Sequence, residues 1–463
     1  MDKNTFIHRY ADEISKGNAA IFGGAGLSVP SGKKDWKTLM QPLADELGIE
    51  LTDSTDLTRL AQFYVNKKGG NRTKVSELIL NEFNDITINE YHKILSCLPI
   101  CTYWTTNYDH AIEDSLKQAG KKVAVKKTPM SLATSLIGCD AVVYKMHGDK
   151  DDAENCVLTE DDYDFYPINR NGFLPILKND LTTKTFLFIG FSFEDPNLHR
   201  IFANIRQLLH NNCRTHYCIM LKEVDKSRIN KQELFCENLM RYGIETVFVN
   251  EWSEIPNVLK EIQNVYNRKS IYISGAAHEY GLYTREEYEK FISDLSQVLV
   301  KKGYRIVSGY GLGVGSAVIS GVLNEVYGCQ HKSLTNELLL RPFPQGDDDI
   351  KALWSQYRRD MIRNSGISLF ILGNKLDTNT RQTILSNGMQ EEFDISKEQG
   401  NFLIPIAATG YMAEKLYGQL IKDLDAEHQN FENELRNLAK KSLPLNELKD
   451  IIVDLITKCS QCI

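Results

Sequence analysis

The sequence predicts an α/β protein made of two doubly wound parallel sheets, residues 1–266 and 271–463, with a helical tail closing the second. Three observations predict it. Short apolar runs alternate with amphipathic stretches, the pattern of a mostly parallel sheet covered by helices. Many of these runs end at a glycine-rich or polar motif, where open parallel sheets bind their ligands. The pattern stops at Asn267-Arg268-Lys269-Ser270 and then starts afresh. A length of 463 residues exceeds one ordinary core and agrees with two domains.

In the first domain the candidate strands are residues 19–22, 103–105, 141–145, 185–189, 217–221 and 245–249. In the second they begin with Ile271-Tyr272-Ile273-Ser274-Gly275 and continue with 304–308, 367–372 and 402–406. From about Met412 the pattern is helical. Leu445, Leu448, Ile451, Ile452, Leu455 and Ile456 share one stripe, suited to packing or to subunit contact.

Hydrophobic content of 42% and charged content of 25% are those of a soluble globular protein. A net charge of −7 gives no basic footprint for DNA or RNA. The first residues lack the apolar run of a signal peptide, and no stretch has the length to span a bilayer, so a cytoplasmic protein is expected. Ten scattered cysteines, several within apolar runs such as Tyr217-Cys218-Ile219-Met220, fit small core residues in a reducing compartment. Cys459 and Cys462 have C-x-x-C spacing but no second pair, so no metal is expected.

Three motifs follow strands of the first domain: Gly23-Gly24-Ala25-Gly26-Leu27-Ser28, Thr105-Thr106-Asn107-Tyr108-Asp109 and Lys145-Met146-His147-Gly148-Asp149. A glycine turn lets phosphates approach the backbone, and Asn and His at later strand ends can meet across the same crevice. The glycine turn is not a Walker loop, because Gly32-Lys33 comes one residue late and Lys34 stands where Ser or Thr should hold magnesium. Nor is it a dinucleotide fingerprint, since Val29 replaces the third glycine. Each motif also has a plainer explanation. The turn can be a tight connection, and Asn107 a helix N-cap. His147 beside Gly148 points more to function, because the glycine suggests close approach of a backbone or sugar.

As an ordered set these motifs resemble the catalytic domain of the sirtuin (SIR2) family, which cleaves the nicotinamide–ribose bond of NAD. Gly190-Phe191-Ser192-Phe193-Glu194-Asp195-Pro196-Asn197 is similar to the family's later Gly-x-Ser nucleotide contact in its bacterial SIR2-like form. The resemblance implies NAD+ as substrate, with Gly24, Ala25, Gly26, Ser28, Thr106, Asp109, Gly190, Ser192 and Asn197 around it. Asn107 would orient the ribose hydroxyls and attacking water, and His147 would act as general base. Between the His-Gly motif and Gly190 only Cys156 is present, so the two zinc-binding cysteine pairs of the deacetylating members are absent. The run from Pro30 to Trp36 also lacks the family's Pro-Asp-Phe-Arg. Water is then the expected acceptor, and the fold a SIR2-like domain without its zinc module.

The second half resembles the SLOG family of Rossmann-like nucleotide sensors, with Ser308-Gly309-Tyr310-Gly311-Leu312-Gly313 as its first glycine turn. The Pro-Gly-Gly and Thr used for cleavage by the related LOG enzymes are missing around Asn387-Gly388-Met389-Gln390-Glu391-Glu392, which implies binding rather than a second catalytic centre. A SIR2-like domain ahead of a SLOG domain resembles the effectors of Thoeris anti-phage systems. This implies NAD+ hydrolysis released by a cyclic ADP-ribose isomer, which a TIR-domain partner enzyme makes, and NAD+ depletion in abortive infection. Gly275, Gly309, Gly311, Gly313, Arg358, Lys375 and Glu392 would bind the signal, with the two cations on its diphosphate. A homo-oligomer, tetramer or filament, is expected. The competing functions are an NAD-dependent protein deacylase, opposed by the missing zinc cysteines, and an inactive nucleotide-sensing scaffold, opposed by the intact Asn107 and His147.

Overall fold

A computed structural model describes residues 1–33, 36–52, 55–193, 195–210, 212–329, 331–343, 353–377 and 379–460. Lys34, Glu194 and Cys462 of the motifs above lie outside them, so the C-x-x-C spacing of the tail has no structural counterpart to weigh. The chain forms two compact units, Met1–Gln263 and Asn264–Ile463.

The first unit holds seven strands, β1 (Ala19–Gly23), β2 (Thr102–Thr105), β3 (Val123–Lys126), β4 (Ala141–Lys145), β5 (Thr185–Ile189), β6 (His216–Leu221) and β7 (Ile244–Val249). They pair in the order β3-β4-β2-β1-β5-β6-β7, every pair parallel. Helices cover both faces of such a sheet, so its central strands read as unbroken apolar runs rather than alternating ones. Ala20, Phe22, Phe186 and Phe188 are buried together, and the rings of Phe22 and Phe188 stack at 5.2 Å. Each such phenylalanine contributes roughly 1.5–3 kcal/mol by leaving water. β3 was not expected from the sequence. It is a four-residue edge strand, flanked by lysines and only partly buried, so it carries little apolar signal.

Between β1 and β2 lie, among the described residues, four α-helices, Trp36–Leu47, Leu57–Lys67, Thr73–Phe83 and Glu90–Cys97. Leu43, Leu60, Tyr64, Ile79 and Phe83 from the first three form a separate core that also takes in Tyr108, from the loop after β2. The helical layer thereby fixes one side of the asparagine motif.

The second unit has a five-stranded parallel sheet of β8 (Ser270–Ala276), β9 (Arg305–Ser308), β10 (Leu338–Leu340), β11 (Ile367–Leu372) and β14 (Phe402–Pro405). Its order is β10-β9-β8-β11-β14, and β12 (Asn374–Leu376) pairs antiparallel with β13 (Thr383–Leu385) beside it. The strand order reverses between β8 and β11, which places a crevice at the carboxyl ends of those strands. β10, β12 and β13 were not legible, each being three residues long. The tail helix Leu445–Cys459 buries Leu448, Ile452, Leu455 and Ile456 in the core of its own unit, with Leu445 and Ile451 packed against it. The apolar stripe is therefore packing. Among the described residues no helix is long and apolar enough to cross a membrane.

Candidate active site and nucleotide pocket

The three motifs of the first unit converge at the carboxyl ends of β1, β2 and β4, and the Gly190 loop joins them from β5. β2 and β4 pair with Thr105 opposite Lys145, so Asn107 and His147 each stand two residues beyond a register pair on adjacent strands. Both side chains are buried.

The glycine turn is shaped first by the protein's own backbone. The Gly24 amide donates to Ile189 O at 2.9 Å, and the Gly26 amide donates to Gly190 O at 2.8 Å. A Cβ on Gly24 would lie 2.4 Å from Gly190 O, and one on Gly26 2.7 Å from the Gly190 Cα. Gly190 itself has φ +65°, where only glycine is unstrained. Two loops cross so closely that no side chain fits between them.

Asn107 is built into this turn. Its Nδ2 donates to Gly24 O at 2.9 Å and to Ser28 Oγ at 3.2 Å, while Ser28 Oγ donates to Asp109 Oδ2 at 2.8 Å. The other Asp109 oxygen accepts from the Ala111 amide at the start of the helix Ala111–Gln118. Asp109 thus serves the helix terminus that Asn107 might have capped, and it also orients Ser28. Lys33 Nζ reaches Asn107 Oδ1 at 3.4 Å and lies 4.6 Å from the Phe83 ring centre. Burial pushes this amine down to about 8, against the pull of Asp109 and Glu82. Ala25 and Thr106 are half-buried and Ser192 is exposed, without side-chain bonds that tie them to the network.

His147 sits in a box of Tyr163, Tyr166 and Asp195. The tyrosine rings meet it edge-on at 5.6 and 6.4 Å. Its Nε2 is 3.0 Å from Asp195 Oδ2, but off the line that a hydrogen bond requires. Burial works to raise the Asp195 carboxyl, yet the neighbouring His147 imidazole and the Leu198 amide hold it below the usual carboxylate range. Asn197 Nδ2, at the start of the helix Pro196–Leu209, is buried with no hydrogen-bond partner among the described residues. Of the two approaches the sequence suggested at Gly148, a backbone or a sugar, the backbone alone explains it. Its φ is +102°, and a Cβ would lie 2.9 Å from Arg170 Nη2 and 3.1 Å from the Cys156 Cα.

Behind His147 the buried Lys145 ammonium lies 3.0 Å from Glu113 Oε1 and 2.8 Å from Asp149 Oδ2, and donates to Tyr108 O and Asp109 O. His110, Glu113 and Asp149 bring ligand atoms within 4.8 Å of one another, and Lys145 is the cation among them. Burial would raise the Asp149 carboxyl, but His110 and Lys145 hold it well below the usual range. This lysine ties the loop that carries Asn107 to the one that carries His147. A lysine within Tyr144-Lys145-Met146 was a signal, since a charge in a buried strand requires partners. Asp195 reads from sequence only as a helix N-cap before Pro196, and Lys33 as a loop charge.

In the second unit a Cβ on Gly311 would fall 1.8 Å from Gly275 O, and one on Gly309 2.8 Å from Phe343 Cε2. Gly313 has φ +74°. Arg358 is buried between Glu391, at 2.6 Å, and Glu392, at 3.3 Å, with the Phe343 ring centre 4.9 Å away. Glu392 is not an exposed first-turn charge. It is buried, accepts from Ser274 Oγ at 2.5 Å, and burial raises its carboxyl against Ser274 and Arg358. Arg358 and Glu392 are therefore in contact at the end of β8. Lys375 is half-buried on β12, and among the described residues no ion pair joins it to Glu392.

Residues 102–247 match a model described as a SIR2-like domain, and residues 254–459 match the Sir2- and TIR-associating SLOG family. The chain is 42% identical to the NAD(+) hydrolase ThsA of Bacillus cereus (strain MSX-D12), with 97% of each chain covered. It is 44% identical to the NAD(+) hydrolase ThsA of Enterococcus faecium, over 91% of each. With the protein of that name from Acinetobacter baumannii (strain 532279) it shares 39%, over 99% of this chain and 98% of the other. A SIR2-like unit followed by a SLOG unit, matched along nearly the whole length by these relatives, places the chain in the ThsA family of Thoeris effectors.

Proposed function

We propose that this chain hydrolyses NAD+ to nicotinamide and ADP-ribose in the first unit, and that a cyclic ADP-ribose isomer bound to the second unit releases that activity. The observation that carries the catalytic half is the placement of Asn107 and His147 two residues past the paired ends of adjacent strands, beside a glycine turn hydrogen-bonded to Asn107. Names of relatives at 39–44% identity support NAD+ as substrate.

Nicotinamide leaves a pyridinium as a neutral molecule, so the ribose carbon passes through an oxocarbenium-like state and the site must chiefly orient and stabilise. Asn107 holds the ribose hydroxyls and a water. His147 takes a proton from one of them. Asn197 Nδ2 is a buried donor awaiting an acceptor, and a nucleotide oxygen supplies one. The reading needs no metal.

In the second unit Arg358, Lys375 and Glu392 contact the signal, beside Gly275 and the glycine turn of Gly309, Gly311 and Gly313. The name of the matched SLOG family supports a TIR-domain enzyme as the source of that signal. The protein then acts in the cytoplasm as a homo-oligomer, a tetramer or a filament, and depletes NAD+ in abortive infection.

The deciding experiment follows nicotinamide release from NAD+ by the purified chain, with and without cyclic ADP-ribose isomers. Release only with an isomer is expected. Release that requires an acylated peptide would make the protein a deacylase instead, and no release under any condition would leave a sensor without catalysis. Light scattering on the same samples tests the assembly, which a monomer in both states would refute.

A further inference from the structure

We infer that Asp195 is the positioning residue for His147: it fixes the imidazole tautomer and leaves Nδ1 as the nitrogen that accepts the proton. The inference rests on the NAD+-cleaving reading. Asp195 Oδ2 lies 3.0 Å from His147 Nε2, and both side chains are at least nine-tenths buried, with 5% and 3% of their surface exposed. A carboxylate has no proton to give, so a neutral imidazole beside it is most stable with its hydrogen on Nε2. The lone pair then sits on Nδ1, which has no hydrogen-bond partner among the described residues.

The rest of the box holds the carboxylate in place. Asp195 Oδ1 accepts from the Leu198 amide at 3.0 Å as cap of the helix Pro196–Leu209. Tyr163 Oη donates to Oδ2 at 3.3 Å, and its ring meets the imidazole edge-on. One oxygen anchors the group to a helix terminus, and the other, held by Tyr163, faces His147. In the unbound state the Nε2 contact is out of line, and a ligand that draws His147 toward its hydroxyl is what would align it. When Nδ1 takes the proton from a ribose hydroxyl or water, the imidazolium faces a carboxylate that is already ionised.

Asp195→Asn tests this. The amide oxygen still caps Leu198, so the NH2 turns to Nε2 and donates, which forces the hydrogen onto Nδ1 and blocks the base. The expected result is a kcat lower by ~10²–10⁴, with KM and thermal midpoint unchanged. Protein labelled with 15N-histidine supplies a readout that a capping role would not move, with Nε2–H in the parent and Nδ1–H in the variant. The same tautomer in both, or an unchanged kcat, overturns the inference. If Asp195→Asn does not fold, Asp195→Ser keeps a capping oxygen and removes the carboxylate, and the same fall in kcat is expected. The tautomer readout does not depend on substrate. Failure of the unaltered protein to release nicotinamide would count against the NAD+ reading, separately from a tautomer result against Asp195.

Discussion

Asn107 and His147 each stand two residues past the paired Thr105 and Lys145 at the ends of adjacent parallel strands. Neighbouring strands run about 4.8 Å apart, so a group lying over the strand ends can touch both. Lys145 secures the arrangement by bonding from the His147 strand to the carbonyls of Tyr108 and Asp109.

Asn107→Ala and His147→Ala are each expected to abolish nicotinamide release. Loss of a positioned acid–base group typically costs ~10²–10⁴ in rate. Asn107→Ala also removes donors to Gly24 O and Ser28 Oγ, which should lower stability by roughly 1–3 kcal/mol. A thermal melt on the same samples separates that from unfolding. Normal turnover by either folded variant would refute the assignment.

Gly190→Ala should be far more damaging than Gly32→Ala, although both glycines have positive φ. At Gly32 the space is open, and only the left-handed backbone is strained, about 1–2 kcal/mol. At Gly190 a Cβ would also meet Leu27 N at 2.3 Å and Gly26 C at 2.5 Å. Overpacking of that kind adds roughly 1–3 kcal/mol and displaces the turn that Asn107 holds. Denaturant unfolding of both variants checks the ranking; equal losses would mean that the crossing of the two loops can relax.

The strands that frame the site were legible because both faces of the sheet are buried, which leaves long apolar runs ending at Gly23, Thr105, Lys145 and Ile189. The glycines were legible as close approaches, but sequence does not say what approaches them. Here it is Gly190 against Gly24 and Gly26, and Cys156 and Arg170 against Gly148. Lys33 and Asp195 were missed because their roles arise from contacts across 74 residues to Asn107 and from Asp195 to a distant strand end. No local period encodes such pairings.

Activity is expected to fall as pH rises through about 8, because that is where the buried Lys33 amine loses its proton. The sign follows from its role. The ammonium strengthens the bond to Asn107 Oδ1 and orients the amide below about pH 8, and the neutral amine does so less well. Lys33→Arg keeps the charge and should flatten the alkaline limb, whereas Lys33→Met should lower kcat at all pH values. A pH–rate profile of kcat settles it. An alkaline limb that Lys33→Arg leaves in place would assign it to another group.

Arg358 is held by Glu391 and Glu392 in this structure, so a phosphate that binds it must compete with both carboxylates. Two substitutions should therefore act in opposite directions. Arg358→Ala removes a charge-assisted phosphate bond and should weaken signal binding by roughly 1.5–3 kcal/mol. Glu391→Gln removes the more exposed competitor, with 35% of its side-chain surface open, and should tighten binding several-fold, about 0.2–1 kcal/mol for a partly exposed pair. Lys375→Ala should weaken binding without disturbing the Arg358 network, since among the described residues no ion pair joins it to either glutamate. If, as proposed, the signal binds the second unit and NAD+ is cleaved in the first, all three act on activation through a coupling between sites and leave the fully activated turnover rate near that of the parent. Calorimetric titration with the activating isomer reads the affinities directly. Unchanged binding in both Arg358→Ala and Lys375→Ala would move the sensing pocket elsewhere, and weaker binding in Glu391→Gln would show that this carboxylate contacts the signal rather than competing with it.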